Sequence, residues 1–190
     1  MNNFNWEDII IRDTEYTTWE WAQKRNRSWK NEFREIVQIW AIRVNTKTRE
    51  EIDSFNVFIK PTKNPILSDF FINITKITQE KIDKKGKEFT IALQQFVTWT
   101  GNWDNRDLYS YGRDEIVLAE NCWLHHLTMP FRRGRCKNIV DVFLANDVPA
   151  NKYNSSSINQ FFNISNNDIE HNALADVRNI LHSLKALFNK

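Results

Sequence analysis

The chain has 190 residues, 41% hydrophobic and 26% charged, a balance that suits a single folded domain over 1–190 and excludes a disordered chain. Its formal net charge of +2 is too small to announce a nucleic-acid partner, so any such surface must be local. Cys122 and Cys136 form neither a metal-ligand spacing nor a disulfide framework. No apolar run approaches a membrane span, and the first residues carry no basic or apolar leader. The expectation is a soluble, cytoplasmic protein with no membrane partner.

In chain order, Ile9, Ile10 and Ile11 predict a strand that breaks into Arg12, Asp13, Thr14 and Glu15. Residues i and i+2 of a strand face the same way, so Asp13 and Glu15 would project together from its end. Two neighbouring carboxylates repel unless a cation lies between them, which raises a hard-metal site; a strand ending in solvated charges is the plain alternative. Residues 19–30 mix Trp19, Trp21 and Trp29 with Lys24, Arg25, Arg27 and Lys30 without periodicity and read as a loop. Residues 35–44 and 52–59 alternate around a turn near Asn45 and stop at Pro61, predicting an antiparallel hairpin.

Two short helices follow between Pro65 and Asp83, with Ser68 and Thr78 as N-caps. Phe89, Ala92, Leu93, Phe96 and Val97 place a helix over 88–99. A strand over 108–111 ends at Gly112, and Ile116, Ala119, Cys122 and Trp123 mark the next helix. The β-branched run 138–142 predicts a last strand, and 146–167 is mostly loop with a short helix near 157–162. Leu174, Val177, Leu181, Leu184 and Phe188 form the apolar stripe of a final helix. Three strands, helices, a β-α-β unit and helices imply a mixed sheet covered by helices, with any site at the carboxyl ends of its strands.

A hard divalent ion needs more than two carboxylates. Acids stand at two other element ends: Asp114 and Glu115 after Gly112, and Asp176 in the last helix, five residues beyond His171. His171 has the near-neutral pKa of a base. Singly, each of these residues also reads as an ordinary helix-end or surface charge.

Their order resembles the DEDD-type, His-bearing 3′–5′ exonucleases, whose fold is ribonuclease H-like. The resemblance rests on Asp13-Thr14-Glu15, an acid after Gly112, and His171-Asn172-Ala173-Leu174-Ala175-Asp176. Asp13 through Trp19 and Glu35 through Ala41 look like the RNA-end-trimming subgroup of histone-mRNA 3′ exonuclease and KapD-like proteins. The likeness runs over about 8–187, with Trp40 and Lys76 where the subgroup usually has Gly and a local insertion near 144–152. The family's Ser-aromatic-Gly-x-x-Asp pattern falls on Ser110-Tyr111-Gly112-Arg113-Asp114-Glu115 and selects Glu115 as the fourth acid, with Leu118 and Cys122 in register. Asp114 ranks second and Asp104 third.

The resemblance implies a mixed five-stranded sheet and one exonuclease domain. It implies two Mg²⁺ or Mn²⁺ ions on Asp13, Glu15, Glu115 and Asp176, with His171 as general base. Single-stranded RNA or DNA 3′ ends would be the substrate, RNA ahead of DNA. Thr14 and Tyr16 would lie under the terminal nucleotide. Candidate strand contacts are Lys24, Arg25, Arg27 and Lys30 with Trp19, Trp21 and Trp29, and separately Arg132, Arg133 and Arg135; a solvated basic loop with partly buried tryptophans is the plain alternative. Because Glu115 is one methylene longer than Asp, a weak or inactive relative that only binds nucleic-acid ends or a protein is the alternative.

Overall fold

The structure is a computed structural model describing residues 4–101, 106–165 and 173–189. Its centre is β1 (Asp8–Tyr16), which pairs antiparallel with β2 (Ile36–Asn45) and parallel with β4 (Leu108–Ser110). β3 (Glu51–Phe58) pairs antiparallel with β2, and β5 (Cys136–Asn138) parallel with β4, giving the order β3-β2-β1-β4-β5. Four of the five strands therefore point the same way, and the carboxyl end of β1 lies in the middle of that edge.

Both faces of β1 are covered, which explains why its start is a continuous apolar run. Ile9 and Ile11 join Ile42, Val44, Val177, Ile180 and Leu184 on one face; Ile10 joins Ile39, Ala41, Phe96 and Leu118 on the other. The first face is roofed by α6 (Ala173–Phe188), whose buried Val177, Ile180, Leu181, Leu184 and Leu187 recur at the helical period. Each such side chain contributes about 1.5–3 kcal/mol by leaving water. The helix thereby brings its first turn, with Asp176, to the carboxyl end of β1. The second face carries α3 (Phe89–Thr100) and α4 (Asp114–Leu124).

The short helices α1 (Asp69–Thr75) and α2 (Gln79–Lys85) start where their caps predict: Ser68 accepts from the Phe71 amide and Thr78 from the Lys81 amide. The turn before them is held by Glu35, 1% exposed, whose carboxylate accepts from the amides of Thr62 (2.6 Å), Lys63 (2.8 Å) and Asn64 (2.6 Å) and from the Thr62 hydroxyl (3.1 Å).

One predicted strand is corrected. The ladder of β5 ends at Asn138, and residues expected to continue it form α5 (Ile139–Leu144). Asn138 Oδ1 accepts from the Val140 amide at 3.1 Å and from the Gly112 amide at 2.9 Å, so a cap outweighs the β propensity of Ile139 and Val140. The segment expected as a short helix near 157–162 is a 3-10 turn over Ile158–Phe162. Among the described residues, no helix is long and apolar enough to cross a membrane.

Candidate active site

β1 supplies Asp13 and Glu15 from one face, because both keep the alternation of Ile9 and Ile11. That face looks at α6, whose Asp176 is 4% exposed. One carboxylate oxygen from each of Asp13, Glu15 and Asp176 lies within 4.8 Å of the other two.

Where Glu115 was expected, the structure places Asp114 beside this group, in the same cavity. Gly112, at φ +96°, is the middle of the three residues that turn the chain from β4 into α4, and the turn sets Asp114 at the first helical position. Asp114 Oδ2 accepts from the Thr14 amide at 3.1 Å and the Thr14 hydroxyl at 3.0 Å. These bonds tie α4 to the strand carrying Asp13 and Glu15. Glu115, one residue on, lines a different cavity with Cys136, Lys137 and Asp141.

Crowding shows in the acid–base balance. Burial raises the Asp13 carboxyl well above its ordinary range, and the charges of Asp114, Glu15 and Asp176 push it further. Glu15 is pushed up to about 8, first by burial, then by Asp176 and Asp114. Asp114 is raised by burial, against the opposing pull of Arg12 and the two Thr14 bonds. Carboxylates crowded in this way need protons or a multivalent cation, so this oxygen-only donor set fits hard divalent ions.

The acids open onto a cavity of about 460 Å³. Trp19, Trp21 and Phe70 give it aromatic walls, and Lys24 and Arg27 supply positive charge. The loop forming this wall is fastened at several points. Arg27 donates to the Thr17 carbonyl (3.4 Å) and the Thr18 hydroxyl (3.1 Å) and lies 5.3 Å from the Tyr16 ring centre. Thr17 Oγ1 donates to the Phe33 carbonyl at 2.6 Å. Gln23 and Arg27 also border an adjoining cavity of about 540 Å³ that reaches Trp123 on α4.

The structure brings Thr14, Tyr16, Trp19 and Arg27 to the acidic cavity. It does not bring Arg25 there, which pairs with Glu32 and stacks 3.6 Å over Trp29. Nor does it bring Arg132 and Arg133, which precede β5 and so lie toward the end of the sheet opposite the acids; the neighbouring Arg135 pairs with Asp107 at 3.4 Å there. His171 and Asp104 lie outside the described residues. Lys24 and Trp21, also candidates in the sequence, line the acidic cavity too, whereas Phe70 and Ile74 were not singled out, because α1 and the loop meet only in the fold. Asp114 was visible in the sequence as the first acid after Gly112, the competing choice.

The chain is similar to ERI1 exoribonuclease 2 of Xenopus laevis, 33% identical over 93 residues, 49% of this chain and 12% of that protein. It resembles 3′-5′ exoribonuclease 1 of Homo sapiens at 30% over 89 residues, 47% of this chain and 24% of that one. Its likeness to the probable 3′-5′ exonuclease KapD of Bacillus subtilis is 27% over 128 residues, 65% and 57% of the two. It thus spans less than two thirds of the length of each of these relatives.

Among solved structures, the nuclease domain of 3′hExo, a DEDDh family member bound to rAMP, superposes with a TM-score of 0.80 at 25% identity, covering 97% of this chain and 94% of that one. A 3′-exonuclease solved for its 3′-end specific recognition of histone mRNA stem-loop gives 0.81 at 22%, covering 100% and 66%, a likeness of fold. Both are ribonuclease H-like exonuclease folds, and the mixed five-stranded sheet here matches theirs. The family pattern described as Exonuclease (RNase_T) matches residues 10–184, and the chain belongs to that family.

Proposed function

We propose that this chain is a metal-dependent 3′–5′ exonuclease that releases nucleoside 5′-monophosphates from single-stranded nucleic-acid ends, RNA ahead of DNA. The observation that carries the reading is the convergence of Asp13, Glu15, Asp114 and Asp176 at the floor of one cavity with aromatic and basic walls. The preference for RNA is supported by the relatives, two of which are named as exoribonucleases.

In this reading the four carboxylates hold two Mg²⁺ or Mn²⁺ ions. Bound there, such ions supply an acidified attacking water and charge stabilisation for the leaving 3′ oxygen. Asp13, Glu15 and Asp176, with one oxygen each within 4.8 Å of the others, would hold such ions together with Asp114, which its two bonds from Thr14 fix in place. His171 takes the proton from the attacking water, the role its family motif implies. Trp19, Trp21 and Phe70 offer faces on which a terminal base can stack, and Lys24 and Arg27 offer phosphate contacts. The nearness of Asp114 favours an active enzyme over a weak relative, a reading that rested on the extra methylene of Glu115.

The test is incubation of the purified chain with 5′-labelled single-stranded RNA in Mg²⁺ or Mn²⁺. A ladder of shortening products that stops on adding chelator is expected. Substrate that is bound but unshortened in both metals would overturn the proposal.

A further inference from the structure

Arg12 immediately precedes Asp13, yet it is 1% exposed and ranks among the largest fully buried side chains. The alternation of β1 turns it away from α6, to the face of Ile10 and Thr14. Asp114 comes to the same face, where Thr14 holds it. Among the described residues, no oxygen acceptor meets Nε, Nη1 or Nη2 of Arg12, and the polar group it touches is the Cys136 thiol, a weak acceptor. A buried guanidinium in that state is one of the most costly groups a fold can carry, so something else must offset it.

What faces it is charge. Arg12 attracts Asp13 and Asp114, and the Cys136 thiol lies beside it. The strand that delivers two acids to the front of the sheet therefore delivers one cation directly behind them.

We infer that Arg12 is a built-in counter-cation of the four-acid centre, holding the metal-free carboxylates together and weakening the centre's affinity for divalent ions. The inference rests on the proposed metal centre. Its logic is a thermodynamic cycle. Without metal, Arg12 is attracted by the surrounding carboxylates. With divalent ions among them that attraction is cancelled or reversed. Removing the charge thus destabilises the metal-free protein more than the loaded one, and metal binding tightens by the difference.

The full chain, stripped with chelator, is titrated with Mn²⁺ by calorimetry and melted with and without Mn²⁺. Arg12→Met is expected to bind Mn²⁺ about tenfold more tightly than the parent, since one unit charge close to a divalent ion is removed from a partly buried site. It should also melt lower without metal and gain more in Tm on adding Mn²⁺. Arg12→Lys keeps the charge and should retain the parental affinity. Arg12→Gln, polar and uncharged, carries the same titration where the Met variant does not fold. Unchanged or weaker Mn²⁺ affinity in the uncharged variants, or a Lys variant that behaves like them, overturns this inference alone. Absence of Mn²⁺ binding by the parent overturns the metal centre and this inference together.

Discussion

Replacing Asp114 with Asn tests the assignment of the fourth acid, because it removes a charge and little else. The amide oxygen can still accept from the Thr14 amide and hydroxyl, at 3.1 and 3.0 Å in the parent, so the tie between α4 and β1 persists. Two unit charges about 4 Å apart in a partly buried site interact by about 4 kcal/mol, and a divalent ion doubles the gross value. If about a third of that doubled value survives solvent compensation, the loss is about 2.7 kcal/mol, or about a hundredfold in kcat/KM. Glu115→Gln, in a separate cavity, should change the rate by less than about threefold. Initial rates on 5′-labelled RNA in Mg²⁺ measure both. The metal-free melting point provides the control: taking one charge from a crowded group should leave Tm unchanged or raise it. A hundredfold loss in Glu115→Gln with near-parental activity in Asp114→Asn would refute the reasoning.

Three other outcomes follow from the same structure. Glu15 moves from an ordinary 4.5 to about 8 in the metal-free fold, so between these values the folded chain holds more protons than the unfolded one and stability falls as pH rises. Tm in chelator should decline from about pH 5 to pH 8 and the slope should flatten with Mn²⁺; a flat or rising metal-free profile would contradict the crowding. Glu35→Ala leaves the amides of Thr62, Lys63 and Asn64 without their carboxylate and should cost about 3 kcal/mol in chemical denaturation; a cost under about 0.5 kcal/mol would mean that the turn finds other partners. Arg27→Ala should raise KM for RNA about tenfold, whereas Arg132→Ala with Arg133→Ala, toward the opposite end of the sheet, should leave it within about twofold; equal effects would place the strand path elsewhere.

The fold was legible wherever one periodicity served one buried face. Alternating β2 and the stripe of α6 are such cases, and the cap residues Ser68 and Thr78 marked helix starts that local chemistry alone decides. It was illegible where a tertiary bond outvoted propensity. Ile139 and Val140 look like strand, but Asn138 bonds both the Val140 amide and the distant Gly112 amide and turns them into a helix. The site divides in the same way. Asp13 and Glu15 are fixed by strand alternation, and the helical stripe carries Asp176 to them. The choice between Asp114 and Glu115 depends on the length of the turn after Gly112 and on which carboxylate meets Thr14, and neither is encoded in a spacing. Arg12 misleads for a related reason. A charge after three isoleucines reads as the end of a buried run, yet here the buried run continues through it.

The central claim, that the acids at the end of β1 cleave the terminal phosphodiester at a 3′ end, is tested most directly by the first product. A single-stranded RNA labelled in its 3′-terminal nucleotide is incubated with the chain and Mg²⁺ or Mn²⁺, and the released label is identified by chromatography. The account predicts that the label leaves first, as a nucleoside 5′-monophosphate, and that chelator or Asp13→Ala prevents its release. Labelled oligonucleotides from internal cleavage, a nucleoside 3′-monophosphate, or release that persists in Asp13→Ala would contradict it.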